Sequence, residues 1–137
     1  MRVLTGKVSS RFKAAGPNLK TVEDKILVRT GLTSMAFGTL NVTLDSDYIV
    51  RPDATIEPHE YFNREQLKFQ RCRVRSFRMF IMRPDSHERP NGIGANVLEL
   101  ISPMKLRDTW GLQDGDVLDV EVEGDEAWWN QPEPMIA

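Results

Sequence analysis

The chain has 137 residues, of which 40% are hydrophobic and 28% are charged, and this composition fits one globular domain with a single core. Its formal net charge of −2 argues against a general basic surface for nucleic acid. Cys72 is the only cysteine, which excludes an intramolecular disulfide and a cysteine metal cluster and leads us to expect a cytoplasmic location. The sequence contains neither a signal-like apolar start nor a membrane-length apolar run, so we expect no membrane association.

The first elements are a strand and a helix. Residues 2–9 are predicted to form a strand, with Gly6 as a bulge or a bend. Thr21 begins a capping-box pattern, so we expect a helix from this residue, and Gly31 is a typical helix terminator.

Residues 38–44 have the alternation of a strand. A rise of roughly 3.3 Å per residue separates Thr39 and Asn41 by about 7 Å on one face. Neutral oxygens at that spacing can bind a hard cation or a phosphate, but on the residues alone a plain surface strand with outward polar residues is the interpretation we favour. The apolar face carries Leu40, Val42 and Leu44, and the oxygen-bearing face carries Thr39, Asn41 and Thr43.

The middle of the chain contains turns, a basic stretch and a loop. Residues 45–58 are rich in turn formers, and in residues 67–82 arginines alternate with apolar residues. Such a basic strand can attract phosphate, but a solvated face of a sheet is the interpretation we favour. Residues 84–96 form a long loop, which in a small domain is often functional.

The last third of the chain is predicted to contain two strands and a helix. Residues 97–101 and 117–122 read as strands. Ser102 is a suitable helix cap, and we expect a helix over residues 103–110, terminated by Gly111.

About six strands and two short helices result, which indicates a mainly β protein and a small β-barrel. We expect residues 1–127 to form this domain. Residues 128–137 are expected to form a tail, whose prolines argue against regular structure. Trp128 and Trp129 of the tail could cover a core edge or contact a partner.

Four short motifs together resemble the archaeal CTP-dependent riboflavin kinase family. They are Gly38-Thr39-Leu40-Asn41, then Glu99 four residues before Pro103, then Met104-Lys105-Leu106-Arg107, and finally Asp114-Gly115-Asp116. The similarity is firm over residues 36–50 and 96–125. It implies a six-stranded cradle-loop barrel and a kinase that converts CTP and riboflavin into CDP and FMN with Mg²⁺.

The resemblance also implies roles for individual residues. Thr39 and Asn41 correspond to the Mg²⁺ ligands of the family. Glu99 corresponds to a glutamate that contacts the flavin ring, and Ser86 is the nearest counterpart of a flavin-contacting threonine, with the adjacent His87 as an alternative. The residues that correspond to the border of the nucleotide site are Met104, Lys105, Leu106 and Arg107.

One loop departs from the family pattern. The family has a glycine-rich GxGxG loop after its first strand, whereas here residues 9–16 read SSRFKAAG, so close approach of the backbone to phosphates is harder. Two alternatives to the kinase therefore stay open: a flavin- or nucleotide-binding relative without turnover, and a small barrel without a ligand. The sequence does not identify a catalytic base, the donor nucleotide or an oligomeric state.

Overall fold

A computed structural model describes residues 2–9, 19–36, 39–124 and 132–133. The predictions for the loop at 10–18, for Gly38 and for most of the tail, including Trp128 and Trp129, lie outside these residues.

Most of the regular structure is antiparallel strand. In chain order the elements are β1 (Arg2–Ser9), α1 (Glu23–Thr30), β2 (Leu40–Leu44), β3 (Ala54–Ile56), β4 (Leu67–Val74), β5 (Phe77–Pro84), β6 (Val97–Ile101), α2 (Leu106–Thr109) and β7 (Val117–Val122). Single 3-10 turns occupy Pro58–Glu60 and Asp85–Glu88.

The sheet closes on itself. Its strands follow the order β4-β5-β6-β2-β1-β7, and β7 pairs with β4 again. At this closure Cys72 lies opposite Val122 and Arg73 opposite Glu121, and the Arg73 Nε donates to Glu121 Oε2 at 3.0 Å. The short β3 pairs with the other end of β4. The predicted mainly β, six-stranded barrel with two short helices is thereby confirmed.

Two apolar cores support the barrel. The first fills its interior and includes Val42, Ile81, Leu98 and Val120. The second lies between α1 and the outside of the sheet, where Ile26 is fully buried among residues of β3, β4 and β5. Burial of both faces of β5 explains why residues 79–84 are apolar almost without interruption, apart from the buried Arg83.

Gly6 is needed for close packing. It pairs with Leu44 on one side and with Leu118 on the other, in an unbroken register, so the predicted bulge is absent. A Cβ at this position would lie 2.6 Å from the Thr43 carbonyl oxygen and 2.7 Å from Val42 Cγ1.

The start of α1 differs from the expectation. The cap position is Val22, without a side-chain capping bond, and the helix begins at Glu23. Val22 is buried with Leu19 and Ile26, so packing of an apolar face decides where the helix begins rather than the capping-box pattern at Thr21. Gly31 terminates the helix as predicted, with φ at 75°.

The second helix is shorter than the predicted 103–110. It covers Leu106–Thr109, with Lys105 at its cap position. Ser102 is not the cap, because its hydroxyl donates to the Met104 carbonyl at 2.6 Å and this bond holds the preceding residues in a turn.

Three further differences concern the strands. The predicted strand 38–44 begins at Leu40 among the described residues. The basic stretch is a hairpin of β4 and β5 rather than one strand, because Arg75 and Ser76 take positive φ values and form a turn. The turn-rich segment that precedes this hairpin contains the three-residue strand β3, which pairs with β4. No helix among the described residues is long and apolar enough to cross a membrane.

We expect Gly6→Ala to lower the free energy of unfolding by about 1–3 kcal/mol, because the added methyl group must push apart two paired strands. Urea denaturation followed by circular dichroism measures the change. Gly124→Ala is the matched control, since nothing lies within 4 Å of a Cβ there. Equal stability of the two variants would contradict the packing argument.

Candidate functional site

The ladder between β2 and β6 brings distant polar residues together. Asn41 lies directly opposite Glu99 in this ladder, and the two residues are only 3% and 1% exposed. Thr39 precedes β2, and its hydroxyl donates to Glu99 Oε2 at 3.4 Å. The oxygen-bearing face of this segment is therefore partly buried at the site and is not the solvated face that the alternation suggested.

A histidine completes this group. His87 lies in the 3-10 turn that follows β5, and its Nε2 is 3.2 Å from Glu99 Oε1. Met82 of β5 is the register partner of Glu99, which explains why a turn at the end of β5 reaches back to the same carboxylate. Sequence reasoning did not identify this carboxylate–histidine pair, because only the pairing of β5 with β6 joins positions 87 and 99.

Burial controls the charge of both groups. It raises the pKa of Glu99 to about 7, against the opposing effects of the Thr39 hydrogen bond and the Arg83 charge. Burial also lowers the pKa of His87, and the Arg83 charge lowers it further, while Glu65 and Glu88 act in the opposite direction. At neutral pH the imidazole is therefore mainly uncharged.

Arg83 holds the surrounding loops in place. Its side chain is fully buried, and its guanidinium donates to the carbonyl oxygens of Tyr48 and Ala95 at 3.0 Å each. Glu88 Oε1 lies 3.4 Å from Nη1. The fixed donor geometry of a guanidinium thus joins two loops to the turn that carries His87.

A pocket of about 310 Å³ lies beside this turn. Ser86 and His87 belong to its wall, and the Ser86 backbone N–H donates to Glu65 Oε1 at 2.8 Å. Glu99 does not belong to the wall, so His87 lies between Glu99 and the pocket. The remaining lining residues are Leu19, Tyr61, Arg64, Leu67, Pro84, Asn91, Gly92 and Ile93, together with Glu65.

The long loop predicted at 84–96 is tightly folded over this turn. The Gly94 N–H donates to the His87 carbonyl at 3.0 Å. A Cβ at Gly92 would lie 2.2 Å from the Ser86 carbonyl oxygen, so a larger residue there would displace the pocket wall.

Ser102, two residues before Met104, contacts Ala36, whose N–H donates to the Ser102 carbonyl at 2.9 Å. The stretch from Met104 to Arg107 is the one predicted to border the nucleotide. Its four side chains do not share one environment. Leu106 is buried, whereas Lys105 is exposed, 3.9 Å from Asp108. Arg107 donates to Asp114 Oδ1 at 2.7 Å, which ties this stretch to the Asp114-Gly115-Asp116 turn. A four-residue helix also supplies little of the dipole on which anion binding at a helix start depends.

The residues at the start of β2 are suited to a hard cation that arrives with phosphate ligands. Among the described residues no three His, Cys, Asp or Glu side chains form a metal cluster. The Thr39 hydroxyl and the Asn41 amide oxygen supply neutral oxygens, which Mg²⁺ accepts when substrate phosphates and water complete its shell.

The raised pKa of Glu99 has a measurable consequence for stability without ligands. The folded pKa of about 7 lies above the ordinary value of 4.5. The stability that the protonated Glu99 gives to the folded state is therefore fully present below pH 4.5 and is lost as the pH rises through 7. We expect Glu99→Gln to become more stable relative to the wild type between pH 4.5 and 8, by on the order of 3 kcal/mol. Denaturation curves at these pH values measure it; a difference that does not vary with pH would contradict the burial argument.

Comparison with known proteins identifies a family and several relatives of this chain. The family model for the CTP-dependent riboflavin kinase domain, also described as domain of unknown function DUF120, matches residues 18–122. The riboflavin kinase of Pyrobaculum arsenaticum is 34% identical over 133 residues, which cover 88% of this chain and 58% of that protein. The riboflavin kinase of Methanocella arvoryzae is 35% identical over 91 residues, which cover 63% of this chain and 40% of that protein.

This chain therefore matches only about half of the length of these curated relatives. The family match nevertheless includes β2, β6 and α2, which carry or adjoin Thr39, Asn41, Glu99 and the stretch from Met104 to Arg107. Since the family model covers more than half of the sequence, the chain belongs to the CTP-dependent riboflavin kinase family.

Proposed function

We propose that this chain transfers the terminal phosphoryl group of CTP to riboflavin, giving CDP and FMN, with Mg²⁺ as the metal. The observation that carries the proposal is the convergence of Thr39, Asn41 and Glu99 on the face of β2 and β6 that is turned away from the apolar interior. Phosphoryl transfer depends on positioning and on neutralising phosphate charge more than on covalent chemistry. A cluster of oxygen ligands beside an acceptor pocket suits that requirement.

Thr39 and Asn41 would hold the metal. Their oxygens come from a strand and from the residue just before it, so the barrel wall keeps them in place. Mg²⁺ supplies charge neutralisation to the phosphate oxygens when it is bound. The Thr39 hydroxyl can donate its proton to Glu99 and still offer a lone pair to the metal.

The stretch Met104, Lys105, Leu106 and Arg107 would border the nucleotide. The hydrogen bond between Ala36 and Ser102, two residues before this stretch, supports this assignment. Lys105 is exposed and available to a phosphate, whereas Leu106 acts through packing of the turn. Arg107 would maintain the position of the Asp114 turn, to which it is already paired.

Glu99 and Ser86 would contact riboflavin. Ser86 is on the wall of the 310 Å³ pocket, and Glu99 lies behind His87, whose Nε2 is 3.2 Å from Glu99 Oε1. The resemblance implies contact with the flavin ring, whereas the contact of Glu99 with Thr39 supports a place for this carboxylate close to the phosphorylated end of the flavin.

We also infer a cytoplasmic location, which the single cysteine supports. Cys72 is buried, and burial raises the pKa of its thiol above the usual range. Such a thiol is unreactive, and a chain with no disulfide suits a reducing compartment.

We further propose that residues 1–127 act as one catalytic domain and residues 128–137 as a tail.

We expect Asn41→Ala to abolish FMN formation while riboflavin affinity changes less than about threefold, because the metal ligand serves the phosphates and not the flavin. Chromatography of FMN with riboflavin, Mg²⁺ and either CTP or ATP measures turnover, and flavin fluorescence measures binding. Thr43→Ala, on the same strand, is the control that should retain activity.

One experimental result would favour the alternative function, flavin binding without turnover, over the kinase. If the wild type binds riboflavin tightly but neither binds nor consumes any nucleoside triphosphate, the protein is a flavin-binding relative without turnover.

A further inference from the structure

A buried imidazole and a buried carboxylate form a pair beside the pocket, and the proposed function leaves the histidine without a role. Phosphoryl transfer to a hydroxyl group requires that its proton be accepted. We propose that His87 is the catalytic base of this reaction and that Glu99 orients it. This inference rests on the proposed function and adds a residue to the same site.

The hydrogen bonds indicate which nitrogen of His87 carries the proton. Nε2 lies 3.2 Å from Glu99 Oε1, so an N–H there has an acceptor. Nδ1 is buried and has no hydrogen-bond partner within the described part of the chain. An N–H at Nδ1 would thus be a buried donor without an acceptor, which costs about 1–3 kcal/mol. The favoured tautomer carries the proton on Nε2 and leaves the Nδ1 lone pair free.

This arrangement is that of an oriented base. In hydrolase triads a carboxylate binds one imidazole nitrogen, fixes the tautomer and leaves the other nitrogen to accept a proton. Here Glu99 takes the orienting position and His87 the accepting one. Glu99 is itself held by Thr39 through its second oxygen, so rotation of the carboxylate is restricted at both ends.

The position of the pair matches the place where the proton is lost. His87 lies on the wall of the 310 Å³ pocket, while the other side of Glu99 contacts Thr39. The base therefore lies between the flavin pocket and the residues proposed to hold the metal. The terminal ribityl hydroxyl of riboflavin must lie at this junction, because it belongs to the flavin and attacks the nucleotide. Nδ1 is buried in the ligand-free structure, so the proposal requires that riboflavin binding displaces the turn enough to expose it.

The charges around His87 keep it ready to accept a proton. Besides burial, Arg83 from β5 lowers its pKa, and Glu65 and Glu88 raise it. Glu99 from β6 faces Nε2. The balance favours the uncharged imidazole at neutral pH, and the adjacent carboxylates stabilise the imidazolium once the proton has been transferred.

The step is balanced in atoms and electrons. The terminal ribityl oxygen forms a bond to the γ-phosphorus of CTP, and its proton moves to His87 Nδ1. The bond between the γ-phosphorus and the β,γ-bridging oxygen breaks, and CDP leaves with the electron pair. Imidazolium then returns the proton to solvent, and no oxidant or reductant takes part.

The test replaces His87 by asparagine and compares it with His59→Asn. His59 is the other histidine of the chain and is exposed in the Pro58–Glu60 turn. We expect His87→Asn to lower kcat about 10²- to 10⁴-fold, with riboflavin affinity changed less than threefold and with loss of the acidic limb of the pH–kcat profile. Added imidazole should restore part of the activity of His87→Gly. His59→Asn should behave as the wild type.

Measurement of the tautomer by ¹⁵N NMR tests the proposal without turnover and without any variant. We expect a protonated Nε2 and an unprotonated Nδ1 in the ligand-free wild type; a proton on Nδ1 would overturn the proposal. Turnover by His87→Asn within threefold of an active wild type would also refute the base while leaving the kinase intact. A wild type that produces no FMN with any nucleoside triphosphate would refute the proposed function and, with it, the base.

Discussion

The antiparallel ladder between β2 and β6 is the constraint on which the candidate site depends. It sets Asn41 against Glu99 and brings the hydroxyl of Thr39 to the same carboxylate. Because the barrel is closed by the pairing of β4 with β7, β2 and β6 cannot slip without breaking the apolar interior. A one-residue slip would also turn Val42 and Leu98 out of the core. The register that stabilises the fold is thus the register that assembles the site.

The site places ionisable groups where a protein built for stability alone would place apolar ones. Arg83, His87 and Glu99 are all at least nine-tenths buried, and each desolvated charge costs free energy unless it is compensated. Part of the compensation is visible in the carbonyl oxygens around Arg83 and in the hydrogen bond from Thr39. The rest of the cost shows in the pKa values: burial raises the pKa of the Glu99 carboxyl and lowers the pKa of the His87 imidazole, so that both groups favour their uncharged forms. Clusters of this kind are more typical of functional sites than of structural cores.

The family match and the geometry of the site are independent observations. The family model covers the strands that position the site. The curated riboflavin kinases are longer than this chain, which spans 58% of the Pyrobaculum arsenaticum protein and 40% of the Methanocella arvoryzae protein. The contacts of Glu99 with Thr39 and His87 do not depend on that comparison. They connect the proposed metal ligands to the pocket through this chain's own residues, which is why the kinase proposal can be tested on single side chains.

The sequence alone was sufficient for the barrel and for most of its strands. Residues 117–122 alternate with period two because one face of the strand packs inward, and this local pattern survives folding unchanged. Residues 97–101 are instead buried at every position. The short motifs likewise sufficed to indicate the family before any contact was known. Local rules failed where packing competed with them: Val22 replaced Thr21 at the helix start, and α2 began at Leu106 instead of residue 103.

Only the tertiary structure decided which polar residues meet. Residues 39 and 99, or 87 and 99, carry no mutual signal in a single sequence, since their proximity comes from strand register and from the turn after β5. The same holds for charge: Glu99 looks like the polar position of a strand, yet it is only 1% exposed, with His87 of a distant turn in contact with it, and burial raises its pKa to about 7. Composition and periodicity are properties of neighbouring residues, whereas desolvation and pairing depend on chain segments that only the fold brings together.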